Sequence, residues 1–221
     1  MKRRSFLAAA SSAALASGFV QTPRPKRRVA VIGHTGRGNF GHGLDTVWQQ
    51  IPETQICAVV DGNPAGLAAA QQKLGVEQGF TDVRKMLRDV RPEFVSVCPR
   101  HPDQHRDFAL AAIEAGVRGL YVEKPFCRTP AEADELIAAC ESHGATIAVA
   151  HRNRYHPALQ PNDRLVAAGQ IGPMLEIRGR GLGDRRGGGE DLWVLGCHIL
   201  NLVHYFAGPP TSCSAIMLQD G

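Results

Sequence analysis

The sequence predicts an α/β protein in which a doubly wound parallel sheet is followed by an incomplete α+β domain with an open, mostly antiparallel sheet. Short apolar runs alternate with helical patterns as far as residue 151, which is typical of parallel strands joined by helical crossovers. The apolar runs are continuous, as expected for strands that are covered on both faces. Beyond residue 151 the alternation ends, so a second domain is expected there.

The elements of the first domain follow from its apolar runs and from the residues that cap its helices. Strands are predicted at residues 28–33, 54–61, 93–99, 119–125 and 146–151, and helices at 64–74, 81–89, 101–115 and 130–143. The pairs Asn63-Pro64 and Thr129-Pro130 are typical helix N-termini, with a capping side chain followed by proline. The first domain is therefore predicted to span residues 28–151.

The second predicted domain spans residues 152–221. Helices are expected at 156–169 and 192–208, and strands at 173–181 and 212–218. A segment of about 70 residues buries only a marginal core by itself. We therefore expect it to be part of a larger domain in a longer protein.

The first 27 residues predict an export signal and a linker. Lys2, Arg3 and Arg4 precede a small-residue apolar run at 6–20 that is too short for a good membrane span. The Arg3-Arg4 pair is similar to twin-arginine signals, so a periplasmic location is expected, with no stable membrane span after signal removal. Removing the three leader cations from the net charge of +4 leaves +1. Without a basic stripe, nucleic acid is not an expected partner.

A glycine-rich turn after the first strand is a candidate phosphate loop. The positions that match or flank the dinucleotide fingerprint are Gly33, Thr35, Gly36, Arg37 and Gly38. Asp61 ends the second strand, where a carboxylate accepts hydrogen bonds from ribose hydroxyls and repels a 2′-phosphate, so NAD is expected rather than NADP. A plain tight turn is the alternative for the loop alone, but a complete βαβ pattern around it favours nucleotide binding.

Polar residues also follow the later strands at the edge where doubly wound sheets bind ligands. Glu123 and Lys124 end one strand, Pro99 ends another, and Asn153 follows a third. A lysine at this edge can handle the proton of a substrate hydroxyl during hydride transfer. Glu123 can orient that lysine or hold the nicotinamide ribose. The alternative is a surface ion pair of little energetic value.

The sequence resembles the Gfo/Idh/MocA oxidoreductases, named for glucose-fructose oxidoreductase and inositol dehydrogenase. The resemblance covers roughly residues 28–221 and rests on VAVIGHTGRG, CPRHPDQH, the EKP at 123–125, HRNRYHPAL and GGGEDLWVLGCHILNL. It implies a Rossmann-type NAD-binding domain followed by a domain that binds a sugar or cyclitol substrate and mediates homo-oligomerisation.

The resemblance also implies roles for individual residues. Lys124 matches the catalytic lysine, and His198 matches the histidine of a D-x-x-x-H motif. Pro99, Glu123 and His105 match positions near the cofactor. Where the motif has its acid, this chain has Val194. Helix spacing, rather than the resemblance, offers replacements: Asp191, one turn before Val194, or its neighbour Glu190 can supply the acid, and Asn201, three residues after His198, can support the imidazole. Asn153, at the strand edge, is expected on the substrate side with Asp191 and Asn201.

No metal site is expected, because the six cysteines form no C-x-x-C and the pair His101 and His105 has no evident third ligand.

The leading functional prediction is an NAD-dependent oxidoreductase that transfers hydride from a sugar or cyclitol hydroxyl. One alternative is an NAD-dependent glycosidase that uses transient oxidation and elimination. Another is a catalytically impaired relative that binds NAD or sugar.

Overall fold

A parallel six-stranded sheet forms the centre of the computed structural model, which describes residues 25–180 and 192–216. Its strands are β1 (Arg27–Ile32), β2 (Thr54–Val60), β3 (Gly79–Phe80), β4 (Phe94–Val97), β5 (Gly119–Val122) and β6 (Thr146–Val149). The strand order is β3-β2-β1-β4-β5-β6, and every neighbouring pair is parallel. The order reverses between β1 and β4, so the doubly wound prediction is confirmed and the ligand crevice lies at their carboxyl ends.

Four helices accompany the sheet, and two of them begin at the predicted caps. They are α1 (Pro64–Leu74), α2 (Val83–Val90), α3 (His105–Glu114) and α4 (Pro130–His143). The side chain of Asn63 accepts from the Gly66 amide, and the side chain of Thr129 accepts from the Glu132 amide. Each bond satisfies an amide that has no partner inside its helix.

The sheet carries a separate apolar core on each face. One core packs strand residues such as Ile32 and Val95 against α2, α3 and α4. The other packs Val31 and Val59 against α1 and against Phe40 and Leu44 of the loop at residues 33–46. We call this segment the 33–46 loop. It covers sheet surface that would otherwise be exposed.

The predicted βαβ unit around the phosphate loop is wrong in one respect, because no α-helix joins β1 to β2. Residues 33–46 form turns, and only a short 3-10 helix at Val47–Gln50 precedes β2. Four loop glycines and Asn39 have φ between +54° and +91°, whereas every helical residue needs a negative φ. Glycine also costs about 1 kcal/mol per residue in a helix. The 33–46 loop therefore lacks the helix dipole that usually faces a pyrophosphate.

The regular elements described in the second part of the chain are all helical. It contains a 3-10 turn at Arg152–Tyr155, α5 (Leu159–Ala167), a π-helical turn at Leu192–Gly196, and α6 (Cys197–Ala207). The expected strands are not observed at 173–180 or 212–216, because no described segment offers them the ladder hydrogen bonds that hold a strand. The open sheet of this domain stays a prediction. None of the described helices is both long and apolar enough to cross a bilayer.

Candidate active site

A cavity of about 450 Å³ lies at the carboxyl edge of the sheet, beside β5 and β6. It brings together four residues that the sequence predicted, Glu123, Lys124, Asn153 and His198, and it adds His42 from the 33–46 loop. Its remaining lining residues are Leu44, Tyr121, Ala150, Arg152 and Leu195. Residues from four separate segments therefore converge on one space of the size that small-molecule sites have.

The ammonium of Lys124 is held by a backbone carbonyl at the position where the family motif has its acid. Lys124 is 7% exposed, and its Nζ donates to the Val194 carbonyl oxygen at 3.1 Å. The thiol of Cys197 donates to the same oxygen at 3.3 Å. No ion pair to Lys124 occurs within residues 25–180 and 192–216. A neutral dipole thus orients Lys124 and leaves two of its three donors for other partners.

Two histidines lie beside Lys124 with their rings nearly perpendicular. The ring centroids of His151 and His198 are 5.8 Å apart. The Nδ1 atom of each ring is buried and has no hydrogen-bond partner in the described parts of the chain. Burial, and then the charge of Lys124, lower the pKa of both imidazoles below their ordinary value. Both rings are therefore neutral at pH 7 and able to accept a proton or bind an electrophile.

Glu123 joins the strand edge to the 33–46 loop. Its carboxylate is 1% exposed and accepts three hydrogen bonds, from the Lys124 amide at 2.9 Å, the His42 amide at 3.0 Å and His42 Nδ1 at 2.9 Å. Because a carboxylate only accepts, the hydrogen of the His42 ring lies on Nδ1. In this structure Glu123 therefore positions His42 and the loop, and its predicted contact with a nicotinamide ribose stays a prediction.

The buried carboxylate of Asp61 has a similar role at the other end of the loop. It accepts from the Thr35 amide at 3.0 Å, from Thr35 Oγ1 at 2.6 Å and from the Asn63 amide at 2.9 Å, and the residue is 0% exposed. Thr35 therefore ties the loop to β2 instead of opening its backbone to a ligand. The ribose contact expected for Asp61 stays a prediction.

The other predicted loop residues differ in how easily a ligand can reach them. Arg37 forms an ion pair with Asp103, so it does not stand free for phosphates as expected. A Cβ at Gly38 would lie 2.2 Å from the backbone nitrogen of Arg100, which makes glycine necessary for close packing. At Gly36 nothing lies within 4 Å of where a Cβ would be. Gly36 is thus a point where a ligand can approach the backbone.

His105 is buried under the site rather than facing it. Its Nε2 lies 2.6 Å from the Pro99 carbonyl oxygen, and its Nδ1 lies 3.0 Å from that of Pro125. It thereby joins the ends of β4 and β5 and positions the residues that line the cavity.

The Oδ1 atom of Asn201 is buried and unpartnered among the described residues, although Asn201 does not line the cavity. Asp191 lies outside the described residues.

A second cavity of about 550 Å³ lies on the other side of the 33–46 loop. It is lined by residues that include Gly33, His34, Gly62, Asp82 and Phe108, at the carboxyl ends of β1 and β2. The two cavities flank the point where the strand order reverses, which is where doubly wound sheets bind dinucleotides. Together with the open backbone at Gly36, they fit a ligand with two nucleotide halves.

Comparison with known proteins agrees with the nucleotide-binding fold. Residues 27–151 match the family model GFO_IDH_MocA, described as an oxidoreductase family with an NAD-binding Rossmann fold. The chain belongs to this family. Residues 27–151 are its NAD-binding domain, so the predicted family, nucleotide-binding fold and cofactor are confirmed.

Curated relatives of this Gfo/Idh/MocA chain include sugar dehydrogenases. D-apiose dehydrogenase of Paraburkholderia graminis is 31% identical over 190 residues, which cover 81% of this chain and 50% of that protein. D-glucoside 3-dehydrogenase of Escherichia coli is 28% identical over 196 residues, which cover 83% of this chain and 54% of that protein. The chain spans about half the length of the curated relatives it matches.

Solved structures show the same fold. Scyllo-inositol dehydrogenase of Lactobacillus casei matches with a TM-score of 0.72 and 19% identity, over 85% of this chain and 56% of that one. Myo-inositol 2-dehydrogenase of Lactobacillus plantarum matches with a TM-score of 0.71 and 22% identity, over 83% of this chain and 57% of that one.

Proposed function

We propose that the protein is an NAD-dependent oxidoreductase that oxidises a hydroxyl group of a sugar or cyclitol. The observation that carries the proposal is the buried ammonium of Lys124, which shares one cavity with the neutral imidazole of His198. A hydrogen-bond donor and a proton acceptor in one small space are what alcohol oxidation requires. The sugar and cyclitol class is supported by the relatives, which include dehydrogenases of apiose and glucosides.

The cofactor is assigned to the two cavities that flank the 33–46 loop. The cavity beside Gly33 and Gly62 would hold the adenosine half, Gly36 would face the phosphates, and the cavity at Lys124 would hold the nicotinamide half. When bound, NAD supplies the hydride acceptor.

The protein's own residues would then manage the hydroxyl group. Lys124 donates a hydrogen bond to the substrate oxygen and stabilises negative charge that develops on it. His198 accepts the hydroxyl proton, because its lowered pKa keeps the ring neutral at pH 7. The Val194 carbonyl fixes the direction of the ammonium without neutralising its charge. Asn153, in the same cavity, offers a further hydrogen-bonding group to a polyhydroxylated substrate.

Cofactor binding and activity are best tested in separate steps. Adding NAD to the purified protein should raise its thermal midpoint, by the equivalent of about 2.7 kcal/mol at one hundred times the dissociation constant. A panel of pentoses, glucosides and inositols is then screened for formation of NADH. Lys124→Met should abolish turnover, whereas Lys85→Met, in an exposed ion pair on α2, should leave it unchanged.

The alternatives give different results in the same assays. Release of an aglycone from a glycoside without net NADH would replace the dehydrogenase assignment with the elimination mechanism. NAD binding with no turnover of either substrate class, and no effect of Lys124→Met, would indicate a binding protein. Absence of both a thermal shift and extractable nucleotide would refute the cofactor assignment.

We also propose that the chain is exported to the periplasm and forms a homo-oligomer. The first proposal is supported by the Arg3-Arg4 pair and the following apolar run. Cell fractionation tests it: replacing both arginines by lysine should retain the protein in the cytoplasm. An unchanged periplasmic fraction would contradict a twin-arginine signal.

A further inference from the structure

A cluster of three potential metal ligands lies beside the Lys124 ammonium. One ligand atom each from His151, Cys197 and His198 lies within 4.8 Å of the other two. His151 follows β6, whereas Cys197 and His198 begin α6, so the tertiary structure brings together residues that are 46 or more positions apart. All three residues are partly buried.

We propose that His151, Cys197 and His198 bind a zinc ion, and that this ion inhibits the oxidation proposed above. Two imidazole nitrogens and one thiolate are ligands that Zn²⁺ prefers, and three protein ligands leave a fourth position open. Metal–ligand bonds of about 2.0–2.3 Å place tetrahedral ligand atoms roughly 3.3–3.7 Å apart. The observed spread of up to 4.8 Å therefore needs the side chains to close by about 1 Å.

Unpartnered atoms of the two histidine rings favour this assignment. The Nδ1 atoms of His151 and His198 are buried without a partner among the described residues, a costly arrangement that a bound ion would relieve. The Cys197 thiol makes one weak bond, to the Val194 carbonyl at 3.3 Å, which a metal–sulfur bond would replace. Burial raises the pKa of this thiol, so the ion also has to displace the thiol proton to solvent. The adjacent Lys124 charge opposes a cation, and the buried carboxylate of Glu123 partly offsets it.

Inhibition follows from the overlap of two roles at His198. An imidazole nitrogen that is bound to zinc no longer accepts a proton, and an ion at this position also adds positive charge next to Lys124. Zinc binding and proton acceptance at His198 are therefore mutually exclusive. The regulatory part of the inference rests on the proposed oxidation, whereas the metal site itself does not.

The binding test uses chelator-treated protein without NAD or substrate, titrated with ZnCl₂ against a competing indicator dye. We expect one zinc ion per chain by elemental analysis. Cys197→Ser should weaken binding about tenfold or more, since even outer-shell changes cost tenfold to a hundredfold. The matched control is Cys140→Ser, because Cys140 is also partly buried but lies on α4, outside the cluster. His151→Gln provides a second ligand variant should Cys197→Ser fail to fold.

The outcomes test the zinc site and the proposed oxidation separately. Equal zinc affinity in Cys140→Ser, Cys197→Ser and His151→Gln, or no preference for Zn²⁺ over Mg²⁺, would overturn the metal site. If zinc binds as expected, stoichiometric zinc should suppress NADH formation by the unmodified protein, and chelator should restore it. Activity that is unaffected by bound zinc would overturn the inhibition while leaving the oxidation intact.

Discussion

The hydrogen bonds of Glu123 give the clearest test of how the site is assembled. The carboxylate is 1% exposed and accepts from three donors, two on His42 and one on the Lys124 amide. Glutamine at this position keeps the shape but offers only one acceptor oxygen. Either orientation of the amide then places its NH₂ group against a protein donor, so at least one bond is lost and two donors face each other.

The size of the effect follows from these contacts. A hydrogen bond to a charged group contributes about 1.5–3 kcal/mol, and an unsatisfied buried donor adds a penalty of about 1–3 kcal/mol. We expect Glu123→Gln to lower the free energy of unfolding by about 3 kcal/mol. In a domain of this size that corresponds to a decrease in the thermal midpoint of about 6–12 °C.

Thermal unfolding followed by circular dichroism measures this decrease, with urea unfolding as a second measurement. The matched control is Glu135→Gln, which removes a bidentate but exposed pair with Arg106. Exposed pairs contribute at most about 1 kcal/mol. If Glu123→Gln shifts the midpoint no more than Glu135→Gln does, the carboxylate does not hold the 33–46 loop.

Three further perturbations test the same region. Thr35→Val should lower the free energy of unfolding by about 2 kcal/mol, because the hydrogen bond from Oγ1 to Asp61 is lost. Thr35→Ser keeps this hydroxyl and should retain most of the stability. Equal losses for both variants in urea unfolding would contradict the bond. Gly41→Ala should destabilise by about 1–3 kcal/mol more than Gly43→Ala, because only at Gly41 would the new Cβ meet a backbone oxygen, at 2.5 Å; similar thermal midpoints would rule out that contact. With a chelator present to remove metal ions, the free energy of unfolding should fall as pH decreases below about 6.5. The reason is that His151 takes up a proton in the unfolded state but has a lowered pKa in the folded state. His151→Gln should flatten this pH dependence, and an unchanged slope would contradict the role of His151.

Much of the sheet was predictable because its signals are local. Continuous apolar runs predict buried parallel strands whatever their neighbours are. The caps at Asn63 and Thr129 are correct for the same reason, because each makes its bond within three residues of itself. The position of Lys124 at the ligand edge follows from the strand pattern combined with the general rule for doubly wound sheets.

The 33–46 loop was not predictable at the same level. A run with five glycines is compatible with a phosphate loop that opens a helix, and also with a series of turns. Long-range contacts favour the turns, through Thr35 to Asp61 and His42 to Glu123. Since these contacts join residues 26 and 81 positions apart, no local pattern reveals His42 as a residue of the site.

The sequence alone determined the family, the nucleotide-binding sheet and the presence of Lys124 and His198, because apolar patterns and motifs depend only on residues that are close in the sequence. It also showed that valine occupies position 194, where the family motif has its acid. Only the tertiary structure decided what Lys124 contacts, because a backbone carbonyl exists at every residue and its direction depends on the fold. The π-helical turn at Leu192–Gly196 directs the carbonyl of Val194 at the ammonium, so the residue that lacks the expected acid still holds the lysine.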